Sequence, residues 1–174
     1  LMPIFSYSPW IWTRLMALHV TQRMPIESEQ DRVLLFGLNM PIALATSPMR
    51  FAHQATLPER LWLMSSDAMQ FTVQRVGQNR LQILSEKGMI NEFEQSVRDL
   101  SRDPLTVGQV VTTDGMRLEI KQLDEDGHPV HLELTLDSQH MDDVVIIYWT
   151  PDGFERTALP GEGEALVLYE SAAR

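Results

Sequence analysis

No cysteine occurs in the 174 residues, which excludes disulfide bridges, zinc–thiolate sites and a thiol nucleophile. Positive charge is also scarce. Fourteen Lys and Arg stand against 24 Asp and Glu, a net charge of −10, whereas a general nucleic-acid binder needs cations to displace counterions from phosphates. No nucleic-acid partner is expected. The chain has no internal repeat and no low-complexity linker, and with 44% hydrophobic residues it is not a disordered or fibrous chain. The uncharged stretch from Val33 to Met49 lies between Arg32 and Arg50, but Gly37, Asn39, Pro41 and Pro48 interrupt it. It reaches only the lower length limit of a membrane span. There is no G-x-G-x-x-G, G-K-[ST] or G-x-S-x-G motif, so no cofactor is expected and no nucleophile elbow is present.

A chain of this length buries about 70% of its unfolded surface, which suits one domain with an appendage. We read residues 1–24 as an N-terminal aromatic lead and helix. Residues 25–174 read as a single α+β domain, with a strand/helix part over 25–104 and a β meander over 105–174. Residues 1–13 are uncharged and carry Phe5, Tyr7, Trp10 and Trp12. They are too short to span a bilayer, and no basic region precedes them as in a signal peptide. The opening Leu1-Met2-Pro3 reads as a cut from a longer product. Ser8-Pro9 supplies a helix cap and a first-turn proline, and Ile11, Leu15 and Leu18 recur at helical spacing to about Met24. This amphipathic helix either packs on the body, the commoner outcome, or lies near a membrane surface, where Trp is favoured. Membrane proximity is thus expected through residues 1–22.

From Asp31 to Leu63 the pattern is strand–helix–strand. The strands are expected over Arg32–Leu38 and Arg60–Ser65, with a helix over Pro41–Ala55 that Pro48 kinks and Pro58 ends. Phe71–Val76 and Arg80–Leu84 form a hairpin, with Phe71, Val73, Leu81 and Ile83 pointing inward. Met89, Phe93, Val97 and Leu100 sit at helical spacing. Beyond them the period becomes two. Val107–Thr113 and Met116–Leu123 flank the hairpin signal Asp114-Gly115. Val130, Leu132, Leu134 and Leu136 alternate with polar residues, as in a half-buried strand. Val144–Trp149 is continuously apolar and therefore central, and Ala165–Tyr169 is a last short strand. The expected fold is α+β: a strand-helix-strand layer followed by an antiparallel β meander, with an N-terminal amphipathic helix.

Chemistry-bearing patterns are few. Gly37-Leu38-Asn39 lies between a strand and a helix N-terminus, where backbone N–H groups can bind an anion; Asn39 acting only as a cap is the simpler reading. Ser65 and Ser66 follow a strand and precede Asp67, with His53 on the preceding helix, so a Ser-His-Asp set can be drawn on paper. The low-specificity binding candidates are therefore Gly37, Asn39, His53 and Ser65. His128, His131 and His140 with Asp142 and Asp143 form the one group resembling metal ligands. However, residues three apart on a strand face opposite ways, and no metal is expected. The Asp-rich turn 124–126 lacks EF-hand spacing.

Charge is uneven. Residues 1–60 carry a net +1, residues 61–120 a net −2 and residues 121–174 a net −9. The acidic end reads first as a solvated face, and second as a docking surface for a basic partner over 121–164.

Several stretches together carry a resemblance. They are Asp31-Arg32-Val33-Leu34-Leu35, Leu61-Trp62-Leu63-Met64-Ser65, Phe71-Thr72-Val73-Gln74-Arg75-Val76, Leu105-Thr106-Val107-Gly108, Asp114-Gly115-Met116, Gly127-His128-Pro129-Val130, Leu136-Asp137 and Pro160-Gly161-Glu162-Gly163. From about residue 23 onward the chain resembles the C-terminal soluble region of uncharacterised bacterial multi-pass membrane proteins. The resemblance implies a fold and no catalytic residue. It implies an extramembrane domain whose partner is the rest of a membrane protein. The expected function is a non-catalytic soluble domain working through protein or intramolecular contacts. The alternative is a small-molecule-binding or hydrolytic domain using the Gly37–Asn39 turn with His53 and Ser65.

Overall fold

The computed structural model describes residues 22–38, 40–65, 70–90, 100–150 and 152–168. The strands are β1 (Arg32–Phe36), β2 (Arg60–Ser65), β3 (Phe71–Gly77), β4 (Arg80–Ser85), β5 (Val110–Thr113), β6 (Met116–Leu123), β7 (Pro129–Leu136), β8 (Val144–Thr150), β9 (Gly153–Ala158) and β10 (Ala165–Leu168). One described helix, α1 (Met40–Ala52), lies between β1 and β2, and a 3-10 turn, Ser138–Asp143, precedes β8.

The strands form two sheets. A mixed four-stranded sheet runs β2-β1-β8-β9, and an antiparallel six-stranded sheet runs β10-β3-β4-β7-β6-β5. Strand β1 is parallel to both neighbours, with Leu34 level with Trp62 on one side and Ile146 on the other. Its five residues are all buried because both faces are covered, and a continuous apolar run is the signature of such a strand. Leu34 and Phe36 face the six-stranded sheet and join its Phe71, Val73, Leu81, Ile83, Leu132 and Leu134 in the larger core. Phe36 and Phe71 meet with ring centroids 5.2 Å apart. Val33 and Leu35 face the other way, onto Ala43 of α1 and onto Met24 and Ile26, with Val145 and Ile147 beside them. The molecule is therefore layered as helix, four-stranded sheet, six-stranded sheet.

The mostly β, α+β character matches the expected class, and the arrangement of the last third differs from a simple meander. Strands β5, β6 and β7 are sequential neighbours, but β8 leaves them to lie parallel beside β1, and β10 returns to pair with β3. The reason lies in Val144–Ile147, which are buried without alternation. Such a segment needs cover on both faces, and only the middle of the four-stranded sheet supplies it. Three boundaries also moved. Strand β1 stops at Phe36 because Gly37 turns the chain with φ +74° and donates its N–H to the Ser65 carbonyl at 2.9 Å. Helix α1 ends at Ala52 rather than Ala55. Gln54 takes a left-handed conformation (φ 54°), while the Ala55 and Gln54 N–H groups donate to the carbonyls of Arg50 and Phe51, a Schellman-type stop. Strand β5 starts at Val110 because Gly108, at φ +84°, turns first. The expected N-terminal helix to residue 21 and the core of the expected helix from Met89, residues 91–99, lie outside the described residues.

Candidate functional site

The four sequence-derived candidates are not one site. Gly37 and Ser65 do meet, at the ends of two parallel strands where Phe36 pairs with Ser65. Their contact is structural: the Gly37 N–H is spent on the Ser65 carbonyl, so it does not point at an anion. Ser65 itself is 2% exposed. His53 lies just past the far end of α1. A 13-residue helix is about 20 Å long and runs back along β1, so His53 stands near the opposite end of the sheet from Ser65. No Ser–His pair is assembled from them. Asn39, Ser66 and Asp67 lie outside the described residues.

The histidines of the acidic third are also dispersed. His128 sits in the turn before β7, where its N–H donates to Asp124 Oδ1 at 2.8 Å and its Nδ1 lies 3.8 Å from Asp124 Oδ2. Gly88 lies so close that a Cβ on it would fall 2.3 Å from His128 Cβ. His131 is three residues on, in the strand, level with Leu84 on β4 and Gln122 on β6. It helps line a shallow cleft of about 590 Å³ with Leu84, Leu123, Val130, Glu86, Asp124 and Glu125. Burial holds the His131 imidazole below its ordinary pKa, while Glu133 pulls it up and Lys121 pulls it down. Ser85 is the hydroxyl in this cleft. It is adjacent to Leu84 on the strand, so the period of two turns it away from His131, and it caps the local turn by accepting from the Lys87 N–H at 3.3 Å. A nucleophile–base pair is therefore not formed there. Among the described residues no group of His, Asp and Glu is placed to hold a metal ion.

The most unusual surface is on α1, where the expected polarity is partly inverted. The inward face carries Ala43, Thr46 and Arg50, and the last two are polar yet 0% and 4% exposed. Burial lowers the Arg50 pKa from its ordinary value. The helix tolerates these groups because each is satisfied. Thr46 Oγ1 donates to the Ile42 carbonyl at 3.0 Å, and Arg50 donates to the carbonyls of Thr56 at 2.7 Å and Met24 at 3.1 Å. The outward face carries Leu44, Ser47, Pro48 and Phe51, with Leu44 71% and Phe51 73% exposed. It has no charged side chain, although the protein carries a net −10. Beside it, Phe51, Ala52, Ala55 and Leu57, together with the polar Glu29 and Gln54, line an open cleft of about 620 Å³. Met24 and Ile26 pack in this helix layer, so the chain enters the described fold on the side that exposes Leu44 and Phe51.

Sequence reasoning missed these two residues. The signal was present in the helix itself: Leu44 and Phe51 are seven apart and share one side, turned about 100° from Ala43 and Arg50, so a helix packed along the Ala43–Arg50 side leaves polar groups inside and apolar ones outside. No described helix is long and apolar enough to cross a membrane. No protein-family model matches the chain, and no curated protein or solved structure matches it.

Proposed function

We propose that this chain is a non-catalytic domain of a larger membrane protein, and that it works by contact with the membrane-embedded part of the same protein. One observation carries the reading: the outward face of α1 is apolar and uncharged, with Leu44 and Phe51 more than two-thirds exposed. Water-exposed Leu and Phe on an otherwise acidic protein mark a surface meant to be covered. The occupant is the membrane part because the chain enters the fold in the same layer, through Met24 and Ile26, and because residues 1–13 earlier in the chain are uncharged and rich in aromatic side chains suited to a membrane interface. The separation of His53 from Ser65 gives the hydrolytic alternative no support.

The test uses the complete reading frame expressed in membranes, with a photo-crosslinking side chain at Leu44 or Phe51 and a control at Gln82 on the far sheet. Crosslinks to hydrophobic spans of the same polypeptide from Leu44 and Phe51, and not from Gln82, support the reading. A frame that encodes no hydrophobic spans overturns it, as do equal yields at all three positions.

A further inference from the structure

The six-stranded sheet ends in β5, and the residues there differ from those at its other edge. All four residues of Val110–Thr113 are exposed, with Val110 at 41% and Val111 at 48%. The direction of its backbone groups follows from the hydrogen bonding. Ile120 donates its N–H to the Gln109 carbonyl at 3.0 Å. The Gln109 carbonyl, and by alternation the backbone groups of Val111 and Thr113, therefore turn toward β6, while the Gln109 N–H donates to the Thr106 carbonyl, and Val110 and Thr112 turn their groups to the open side. Two N–H and two C=O groups thus face a side on which no described strand lies. Edge strands are ordinarily guarded by charge, proline or a bulge. The opposite edge, β10, also has no charged residue or proline within Ala165–Leu168, but it is preceded by Glu162 and Glu164, whereas the nearest acid before β5 is Asp103 and Gln109–Thr113 carries neither charge nor proline.

We propose that β5 pairs antiparallel with the β5 of a second copy of this chain, joining two six-stranded sheets across a two-fold axis through Val111. The pairing sets Val110 opposite Thr112 of the second copy and Val111 opposite Val111. Asp114, the nearest charged residue in the chain, falls opposite Gly108 of the second copy, so two acidic molecules meet here without acid facing acid. Val111 also needs the cover. It lies on the inner side of the sheet, level with Leu118, which packs against the core. Even so, the four-stranded sheet does not reach it, and it remains half exposed. A second Val111 supplies the missing apolar neighbour. The contact is isologous, so it closes at two copies and does not propagate. It is independent of the α1 surface.

The test is a dilution series in analytical ultracentrifugation together with amide exchange by NMR. At about 100 µM the protein should sediment as twice its 19.9 kDa mass, and it should dissociate on dilution. Thr112→Pro removes an outward N–H and leaves the β5–β6 bonds intact, and Val111→Lys adds the missing guard. Each should weaken the dimer about tenfold or more. In the unaltered protein the Val110 and Thr112 amides should gain protection with concentration, whereas Val111 and Thr113 are protected throughout. That readout needs no variant to fold. A monomer at every concentration overturns the proposal. So do amides of Val110 and Thr112 whose exchange ignores concentration, a dimer unaffected by both substitutions, or species larger than a dimer.

Discussion

The two sheets solve different packing problems, and their strands look different for that reason. In the four-stranded sheet, β1 and the first half of β8 are buried residue by residue, because the helix layer covers one face and the six-stranded sheet covers the other. In the six-stranded sheet, β7 alternates: Leu132, Leu134 and Leu136 are buried, while His131, Glu133 and Thr135 face out. Across that outer face Gln74, Gln82, Glu133 and Glu119 stand level from strand to strand. Lys121, two residues beyond Glu119 and so on the same face of β6, lies 2.7 Å from Glu119 and 3.7 Å from Glu133. A doubly covered sheet spends its sequence on volume and a singly covered sheet spends half of it on solvation. Both rules lapse at two places among the described residues, where Leu44 and Phe51 of α1 and Val110 and Val111 of β5 are exposed.

That contrast can be broken first at the seam between the sheets. Phe36 is 1% exposed and reaches from the doubly covered sheet to Phe71 of the other. Phe36→Ala should cost about 4 kcal/mol through lost burial and a residual cavity, read as a lower urea midpoint with an unchanged slope.

The next effect concerns how the helix layer is tied to the sheet. Arg156 on β9 grips Asp31 with two bonds, at 2.7 and 3.1 Å, and also donates to the Pro25 carbonyl at 2.9 Å. The Arg156 guanidinium beside Asp31 holds that carboxyl below the usual range; burial opposes this, and the Glu27 and Ser28 N–H groups add to the lowering. Arg156→Ala should cost about 2 kcal/mol at pH 7, because it leaves a largely buried carboxylate without its cation. A lowered folded-state pKa stabilises above the unfolded value of about 4 and loses that contribution as pH falls through the folded value. The gap in melting temperature between the native protein and Arg156→Ala should therefore narrow below about pH 4.

The smallest effect is expected on the wet face. Gln82→Ala, in the middle of the six-stranded sheet, should change stability by less than about 0.5 kcal/mol. A loss near that of Phe36→Ala would show that this face is a packed layer and would erase the distinction between the sheets.

Much of the fold was legible where one residue pattern answers to one environment. The hairpin of β3 and β4 is spaced as its alternation requires, and Phe71, Val73, Leu81 and Ile83 are all buried. The parallel strand of Arg60–Ser65 falls at its expected bounds. The site was far less legible. Gly37 and Ser65 are neighbours because their backbones bond, which no motif announces, and His53 was carried away from Ser65 by the length of α1.

What the sequence determined alone is periodicity: where most of the strands run, which of their faces are apolar, and how the charge is divided along the chain. These properties are local, set by the nearest few residues and by burial of one face. The tertiary structure decided which strands became neighbours, because pairing between β1 and β8 joins residues more than a hundred positions apart, and short-range patterns carry no record of such partners. It decided as well that Thr46 and Arg50 lie inside while Leu44 and Phe51 lie outside. A helix can present either face to a sheet, and the carbonyls of Met24 and Thr56, which receive Arg50, come into place only when the layers close.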